Sequence, residues 1–145
     1  PGSWSQFVSR NFKNLKIVAI DLKEMEKIKN IYQIKGDFTD QIQQKKIIDY
    51  FSCKIDTVIS DMAVNTTGNK NLDSIVTGEL SIEALNFSTN ILTKQGSFVS
   101  KIFMGSSFNE IIKNAKKKFK KVNIYKPPAS RKDSKESFII CKYLR

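Results

Sequence analysis

The sequence predicts an α/β fold with a doubly wound, mostly parallel sheet and an antiparallel last strand. Apolar, β-branched runs alternate with amphipathic segments along the chain, a pattern typical of parallel strands joined by crossover helices. The last two predicted strands are joined by a loop alone, so they most simply form an antiparallel hairpin. A chain of 145 residues, 40% of them hydrophobic, can bury one ordinary core. We therefore expect a single domain over residues 1–145.

The first elements are indicated by the spacing of apolar residues. Aromatic and aliphatic residues three to four positions apart predict a helix over 4–12. Short apolar runs predict strands at 17–20 and 31–34, joined by a turn or a short helical segment. A second amphipathic pattern predicts a helix over 40–51.

The remaining elements continue the alternation. They are predicted strands at 55–60, 97–103, 122–125 and 137–143, and predicted helices over 74–92 and 108–119. We expect a turn at Gln95-Gly96 before the fourth strand, which contains a buried or half-buried lysine, Lys101. Pro127 and Pro128 indicate a rigid link between the last two strands.

Acidic residues follow three successive predicted strands: Asp21, Asp37 and Asp61. In open α/β sheets, ligands bind in the crevice beyond the carboxyl ends of the strands, where a carboxylate commonly holds ribose hydroxyls. The pattern therefore favours a ligand with an adenosine-like part. The other interpretation of Asp61 is that it caps a turn or the next helix, because a polar loop from Asn65 to Asn71 follows it.

The net charge of +11 is concentrated in the last third of the chain. Residues 1–93 carry 11 basic and 11 acidic side chains, whereas residues 94–145 carry 14 basic and 3 acidic ones. Such a surface suits a polyanion such as RNA, although a solvated helix face is the other interpretation. The candidate RNA-binding residues are Lys113, Lys116, Lys117, Lys120, Lys126, Arg131 and Lys132.

Several classes of protein are excluded or not expected. The chain has no histidine, which excludes His-based triads and most transition-metal sites. Cys53 and Cys141 form no CxxC pair, and we expect both to be free, buried thiols. No GxxxxGK[ST] loop occurs, so phosphoryl transfer is not expected. Without a long apolar run or a signal-like N-terminus, we expect a cytoplasmic protein that does not enter a membrane.

Six short motifs, in order and in register, resemble those of the FtsJ family. They are Pro1-Gly2-Ser3-Trp4-Ser5-Gln6, Ala19-Ile20-Asp21-Leu22, Gln33-Ile34-Lys35-Gly36-Asp37-Phe38, Ser60-Asp61-Met62-Ala63, Gly96-Ser97-Phe98-Val99-Ser100-Lys101-Ile102-Phe103, and Lys126-Pro127-Pro128-Ala129-Ser130-Arg131 followed by Ser134-Lys135-Glu136. Bacterial members of that family are S-adenosylmethionine-dependent methyltransferases that modify a ribose 2′-hydroxyl of large-subunit ribosomal RNA. The similarity spans nearly the whole chain.

The resemblance implies a Rossmann-like methyltransferase fold that binds S-adenosylmethionine. By that resemblance, Gly2 and Trp4 line the methionine end of the cofactor. Asp21 holds the ribose hydroxyls, and Asp37 and Phe38 bind the adenine.

The resemblance also implies a catalytic group of Asp61, Lys101 and Glu136, with Asp61 near the sulfonium of the cofactor as well. Whether Lys101 removes the hydroxyl proton or only orients the hydroxyl stays open. We expect no metal to be required. The family has a further catalytic lysine before the glycine turn, and we expect both that lysine and the first strand of the sheet to lie upstream of Pro1.

The implied partner is ribosomal RNA or the large ribosomal subunit, bound by a monomeric protein. Two alternatives share the same fold: a catalytically inactive RNA-binding relative or fragment, and an organellar or tRNA 2′-O-methyltransferase. A nicotinamide-dependent oxidoreductase would also use Asp21, but its GxGxxG turn would lie before Pro1.

Overall fold

A computed structural model of the chain describes residues 1–64 and 67–145. These residues form two compact units, Pro1–Cys53 and Lys54–Arg145. Asn65 and Thr66, at the start of the predicted polar loop, lie outside the described residues.

The first unit contains two helices and a two-stranded parallel sheet. Its elements are α1 (Ser3–Asn11), β1 (Ile17–Asp21), β2 (Ile31–Lys35) and α2 (Gln41–Phe51). The two strands pair from Ile17 opposite Ile31 to Asp21 opposite Lys35. The segment between the two strands contains bends and one turn but no helix. The sequence left a turn or a short helical segment open at this place, and the turn is the one that forms.

The helix α2 begins and ends where its local sequence predicts. The Asp40 carboxylate accepts a hydrogen bond from the backbone N–H of Ile42 at 2.9 Å, which satisfies one donor of the first turn. Ser52 ends the helix in the left-handed conformation, with φ 52°. Tyr50 of α2 stacks on Tyr32 of β2 with ring centroids 4.6 Å apart, so α2 packs beside the sheet.

The second unit contains a four-stranded mixed sheet and two helices. Its elements are β3 (Ile55–Ser60), α3 (Lys70–Ile91), β4 (Leu92–Phe103), α4 (Phe108–Lys118), β5 (Phe119–Tyr125) and β6 (Glu136–Leu144). The strand order is β3-β4-β6-β5, with β3 parallel to β4 and β6 antiparallel to both of its neighbours. The predicted final hairpin and antiparallel last strand are confirmed.

The two largest errors in the predicted boundaries of this unit are at the starts of β4 and α3. The turn expected at Gln95-Gly96 does not precede the strand, because β4 starts directly after α3. The β3–β4 pairing instead changes register: Ile55 is opposite Leu92 and Thr57 is opposite Ser97, so β4 has extra residues between these two pairs. The helix α3 begins at Lys70 instead of Ser74, since the Asn69 side chain accepts a hydrogen bond from the N–H of Leu72 at 3.2 Å.

The core of the second unit lies where α3 and α4 pack against one face of the sheet. Alternate residues of β4 and β6 are fully buried, including Phe98, Ile102 and Ile139. Cys141 is buried in the same layer, whereas Cys53 is exposed after the end of α2, which corrects the expectation that both thiols are buried. Within 1–64 and 67–145, no helix has the length and apolar character needed to cross a membrane.

Candidate active site

The two aspartates proposed for the adenosine part of a cofactor lie at the same end of the β1–β2 sheet. Asp21 is the last residue of β1 and pairs with Lys35, the last residue of β2. The N–H of Gly36 donates to the Asp21 carbonyl at 2.9 Å, so the chain turns beside Asp21 just before it reaches Asp37. The parallel pairing therefore brings two residues that are far apart in sequence to one edge.

Both carboxylates are held by local backbone donors. The N–H of Lys23 donates to Asp21 at 2.8 Å, and the N–H of Thr39 donates to Asp37 at 2.9 Å. The Thr39 hydroxyl, followed by the Thr39 N–H, keeps the pKa of Asp37 below its ordinary value. Asp37 is therefore a charged acceptor at neutral pH, which suits an amino group of a ligand.

The other candidate cofactor residues also lie in the first unit. Gly2 precedes α1 with φ 93°, a conformation that L-residues rarely adopt, and an added Cβ would lie 3.4 Å from Cδ1 of Ile28. Trp4 in the first turn of α1 and Phe38 after β2 are both half-buried. The carbonyl of Phe38 accepts from Nε2 of Gln44 at 3.1 Å, which fixes the loop to α2.

A cavity of about 470 Å³ in the first unit does not coincide with these residues. Its lining includes Phe12, Leu15, Ile17 and Asn30, at the beginning of β1. That is the end of the strand opposite to Asp21, so this cavity is not the candidate cofactor site.

In the second unit, Asp61 and Lys101 each come directly after one member of a residue pair in the β3–β4 ladder. Ser60 and Ser100 pair in the parallel β3–β4 ladder, and the next residue of each chain is Asp61 or Lys101. Neighbouring strands are about 4.8 Å apart, so the two side chains start close together. Asp61 is exposed and Lys101 is half-buried, as predicted for a lysine in an apolar strand.

Glu136 completes this group from the other side of β4. In the antiparallel β4–β6 ladder Lys101 pairs with Phe138, and Phe103 pairs with Glu136. Lys101 and Glu136 are therefore diagonal neighbours on one face, about 7–8 Å apart in such ladders. The Nζ atom of Lys101 lies over the ring of Phe103, 5.9 Å from its centroid.

The loops that follow Asp61 and Lys101 both contact the first turns of α3. The N–H of Val64 donates to the Thr77 hydroxyl at 3.3 Å. Ser107, in the loop after β4, lies against Gly78 of α3. A Cβ added to Gly78 would lie 2.4 Å from the Ser107 side chain, so there is no space between the loop and the helix for even a methyl group. One helix thus supports the loops beyond both strand ends.

The structure separates the predicted basic residues into two groups. Lys126, Arg131 and Lys132 lie in the loop between β5 and β6, at the same end of the sheet as Lys101 and Glu136. Lys116, Lys117 and Lys120 lie at the end of α4 and the start of β5, which is the opposite end. Lys113 lies midway along α4.

The sequence did not predict the contacts of Phe103 and Thr77: the Phe103 ring lies near the Lys101 ammonium, and the Thr77 hydroxyl accepts from Val64. Phe103 is two residues after Lys101, so the alternation of side chains along a strand does place both on one face. The contact between Thr77 and Val64 gives no such signal, because the two residues belong to different elements. Among the described residues, no three His, Cys, Asp or Glu side chains are grouped so that they could bind a metal.

Comparison with known proteins identifies a family. The model of the FtsJ-like methyltransferase family matches residues 1–144, which is almost the entire chain. A Pelagibacter ubique protein named ribosomal RNA large subunit methyltransferase E is 63% identical over 145 residues, covering 100% of this chain and 71% of that protein.

Two further proteins extend the comparison. A Dictyostelium discoideum protein assigned as a tRNA (cytidine(32)/guanosine(34)-2′-O)-methyltransferase is 40% identical over 98% of this chain and 55% of its own length. The crystal structure of a Plasmodium falciparum protein assigned as a ribosomal RNA methyltransferase superposes with a TM-score of 0.84 at 30% identity, covering 99% of this chain and 81% of that one. The chain therefore spans between about half and three quarters of the lengths of these curated relatives.

Proposed function

This chain belongs to the FtsJ-like methyltransferase family, and we propose that it transfers a methyl group from S-adenosylmethionine to a ribose 2′-hydroxyl of large-subunit ribosomal RNA. One observation carries the proposal: Asp61, Lys101 and Glu136 lie at one end of three adjacent strands, β3, β4 and β6. A carboxylate on either side of an ammonium suits the positioning of a hydroxyl and the removal of its proton.

The reaction is an in-line displacement at carbon. The bond from the methyl carbon to the sulfonium sulfur would break as a bond to the ribose oxygen forms, leaving the thioether of S-adenosylhomocysteine. The hydroxyl proton would pass to the Lys101 amine or, where Lys101 only orients the hydroxyl, to water. S-adenosylmethionine supplies a methyl carbon already activated by the sulfonium, so the chain's own residues mainly align the hydroxyl. Lys101 contacts that hydroxyl, and Asp61 and Glu136 orient Lys101 from the two neighbouring strands.

The cofactor is proposed to lie against residues of the first unit. Asp21 would accept hydrogen bonds from the ribose hydroxyls, and Asp37 would accept one from the adenine amino group. Phe38 would pack on the adenine ring, and Gly2 and Trp4 would line the methionine end. The family match runs through both units, which supports one functional domain over residues 1–145.

The RNA backbone is proposed to contact the loop between β5 and β6. Lys126, Arg131 and Lys132 lie in this loop, and Glu136 begins the strand that follows it. Cations next to the candidate catalytic group would hold the phosphates on either side of the target ribose. We further propose that the protein acts as a cytoplasmic monomer on the ribosomal subunit or its RNA, without a metal.

The direct test is methyl transfer by the natural protein that carries this chain. Purified protein, radiolabelled S-adenosylmethionine and unmethylated large-subunit ribosomal RNA should yield label in one nucleotide. That label should resist alkali, because a 2′-O-methyl group blocks cleavage of the adjacent phosphodiester bond. Label on a base, or no label with a folded protein that binds the cofactor, would contradict the proposal.

A second candidate substrate is tRNA. It is favoured by the 40% identity to the Dictyostelium protein, whose name specifies tRNA. The higher identity, 63%, is to a protein named for ribosomal RNA, so we rank that substrate first. Transfer of label to bulk tRNA but not to ribosomal RNA in the same assay would reverse the order.

A further inference from the structure

The four-stranded sheet of the second unit has two ends with different chemistry. At one end, called here the catalytic end, β4 finishes at Phe103 opposite Glu136, where β6 begins. At the other end β5 begins at Phe119, opposite Leu144 near the end of β6. The two ends are separated by the length of β5, seven residues or about 20 Å.

Basic residues from four segments meet at this second end. The last turn of α4 is fastened there, because the N–H of Arg145 donates to the Lys118 carbonyl at 2.9 Å and its Nε donates to the Lys116 carbonyl at 3.0 Å. The Nζ of Lys94 in turn donates to the Arg145 carbonyl at 2.8 Å. We call the following set the distal basic surface: Lys94, Lys116, Lys117, Lys118, Lys120, Lys121, Lys142 and Arg145.

The short stretches that form this surface, residues 94, 116–121 and 142–145, contain no aspartate or glutamate. No aspartate or glutamate lies between Glu83 and Glu110, between Glu110 and Asp133, or after Glu136. Asp56 at the start of β3 is on the same end of the sheet and lies beside β4, the strand of Lys94, but β4 separates it from β6 and β5. The positive charges are therefore concentrated without acidic neighbours in their own segments.

One pairing within the surface is unfavourable for the fold. Lys121 of β5 lies directly opposite Lys142 of β6. Like charges directly opposite each other destabilise a ladder. The Nζ of Lys121 lies 5.5 Å from the centroid of the Tyr143 ring, which offsets part of this cost. Stability of the sheet therefore does not explain why both positions are lysine, whereas binding of a polyanion does.

We propose that the distal basic surface is a second RNA-binding site, which contacts phosphates about 20 Å from the target ribose. This inference rests on the proposed function and adds to it that the substrate is an extended RNA that reaches both ends of the sheet. The surface is dominated by lysine, a point charge suited to phosphates irrespective of base sequence. Its role is affinity for long RNA, and the chemical step does not depend on it.

The test is a triple substitution in the natural protein: Lys116→Gln, Lys117→Gln and Lys120→Gln. We expect binding to unmethylated large-subunit ribosomal RNA to weaken by about tenfold or more, and the slope of log K against log salt concentration to become shallower by about 2 to 3. Affinity for S-adenosylmethionine should be unchanged, because none of these three lysines is proposed to contact the cofactor. The matched control removes the same charge from exposed lysines of the first unit: Lys27→Gln, Lys29→Gln and Lys46→Gln.

The outcomes separate this inference from the proposed function. Unchanged binding and salt dependence in the distal variant, with normal methyl transfer, would overturn the second site and leave the methyltransferase intact. Equal losses in the distal and control variants would also overturn it, because net charge alone would then be responsible. Loss of binding to phosphatidylglycerol vesicles without loss of RNA binding would assign the surface to anionic lipid instead. Failure of the unmodified protein to methylate any RNA would contradict the proposed function itself.

Discussion

Lys101 and Glu136 lie diagonally across the β4–β6 ladder, and phenyl rings occupy the other diagonal. Phe138 is opposite Lys101, and Phe103 is opposite Glu136. The half-buried Lys101 residue thus has its Nζ atom 5.9 Å from the centroid of the Phe103 ring, and Glu136 starts from the same face of the sheet. This arrangement restricts where the Lys101 side chain can go, which suits the role proposed for it, contact with a hydroxyl in one geometry.

Replacing Lys101 with alanine should abolish methyl transfer. The substitution removes the only group proposed to contact the hydroxyl from β4, and a positioned proton-transfer group contributes about 10²- to 10⁴-fold. Calorimetric titration should show affinity for S-adenosylmethionine within a few-fold of the unmodified protein. Lys70→Ala, at the exposed start of α3, is the control and should leave turnover unchanged. Near-normal turnover of the Lys101 variant would remove this residue from the mechanism.

The Phe103 ring should affect the rate of methyl transfer by holding the Lys101 ammonium in position. An ammonium near an aromatic face gains about 0.5–1 kcal/mol at exposed sites, so Phe103→Leu should lower kcat by about two- to fivefold. Phe103→Tyr retains the ring and should recover most of the rate. KM for RNA and cofactor affinity should hardly change in either variant. Equal rates for the leucine and tyrosine variants would show that the ring does not position the ammonium.

Asp21→Asn should weaken cofactor binding more than it lowers the maximal rate. A hydrogen bond to a charged acceptor contributes about 1.5–3 kcal/mol, which corresponds to about 10- to 100-fold in the dissociation constant. Asp56→Asn removes the same charge from the start of β3 and should bind the cofactor normally. Titration calorimetry with S-adenosylmethionine and with S-adenosylhomocysteine would measure both. Unaltered affinity in the Asp21 variant would place the ribose elsewhere.

Local patterns predicted most of the elements, because each depends on residues near in sequence. The strand at Ile55–Ser60 was predicted with its observed bounds, and the antiparallel β6 followed from the absence of a helix after β5. The start of α3 was missed by four residues, since its cap is a single hydrogen bond from Leu72 to Asn69. The irregular β3–β4 ladder was missed because register depends on pairing between distant segments.

The division of the basic residues could not be foreseen either. In the sequence, Lys120 and Lys126 are only six positions apart, and they read as one basic surface. In the structure these six positions run along β5, so they separate the two lysines by most of the strand's length. Conversely, Lys94 and Arg145 are distant in sequence but are joined by a hydrogen bond. Charge counts along a chain therefore predict the sign of a surface better than its outline.

Gly78→Ala should destabilise the second unit even though alanine favours a helix. The new Cβ would lie 2.4 Å from Cβ and Oγ of Ser107, and relief of such a clash typically costs about 1–3 kcal/mol. Urea unfolding would measure the loss. Ser107→Gly removes both clashing atoms, so the double variant should recover most of the stability. Because the Ser107 side chain makes no capping hydrogen bond to α4, the single Ser107→Gly variant should lose little. Additive effects in the double variant would contradict the contact.

The two cysteines should differ in reactivity and in their effect on stability at high pH. Cys53 is exposed, so iodoacetamide at pH 8 should modify it and leave Cys141 unmodified until the protein unfolds. Burial raises the pKa of the Cys141 thiol from 9.0 to about 12. Between these values the unfolded chain loses this proton and the folded chain keeps it, so the folded state loses stability as the pH rises.

The pH effect can be isolated with Cys141→Ala, which cannot ionise. The difference in unfolding free energy between the unmodified protein and this variant should be constant below about pH 8. It should then shrink by at most about 1.4 kcal/mol at pH 10, because ionisation of the thiol favours only the unfolded chain of the unmodified protein. Urea unfolding at pH 8 and pH 10 measures this difference. A difference that stays constant or grows with pH would mean that Cys141 ionises in the folded sheet at least as readily as in the unfolded chain, contrary to its burial in β6 between β4 and β5.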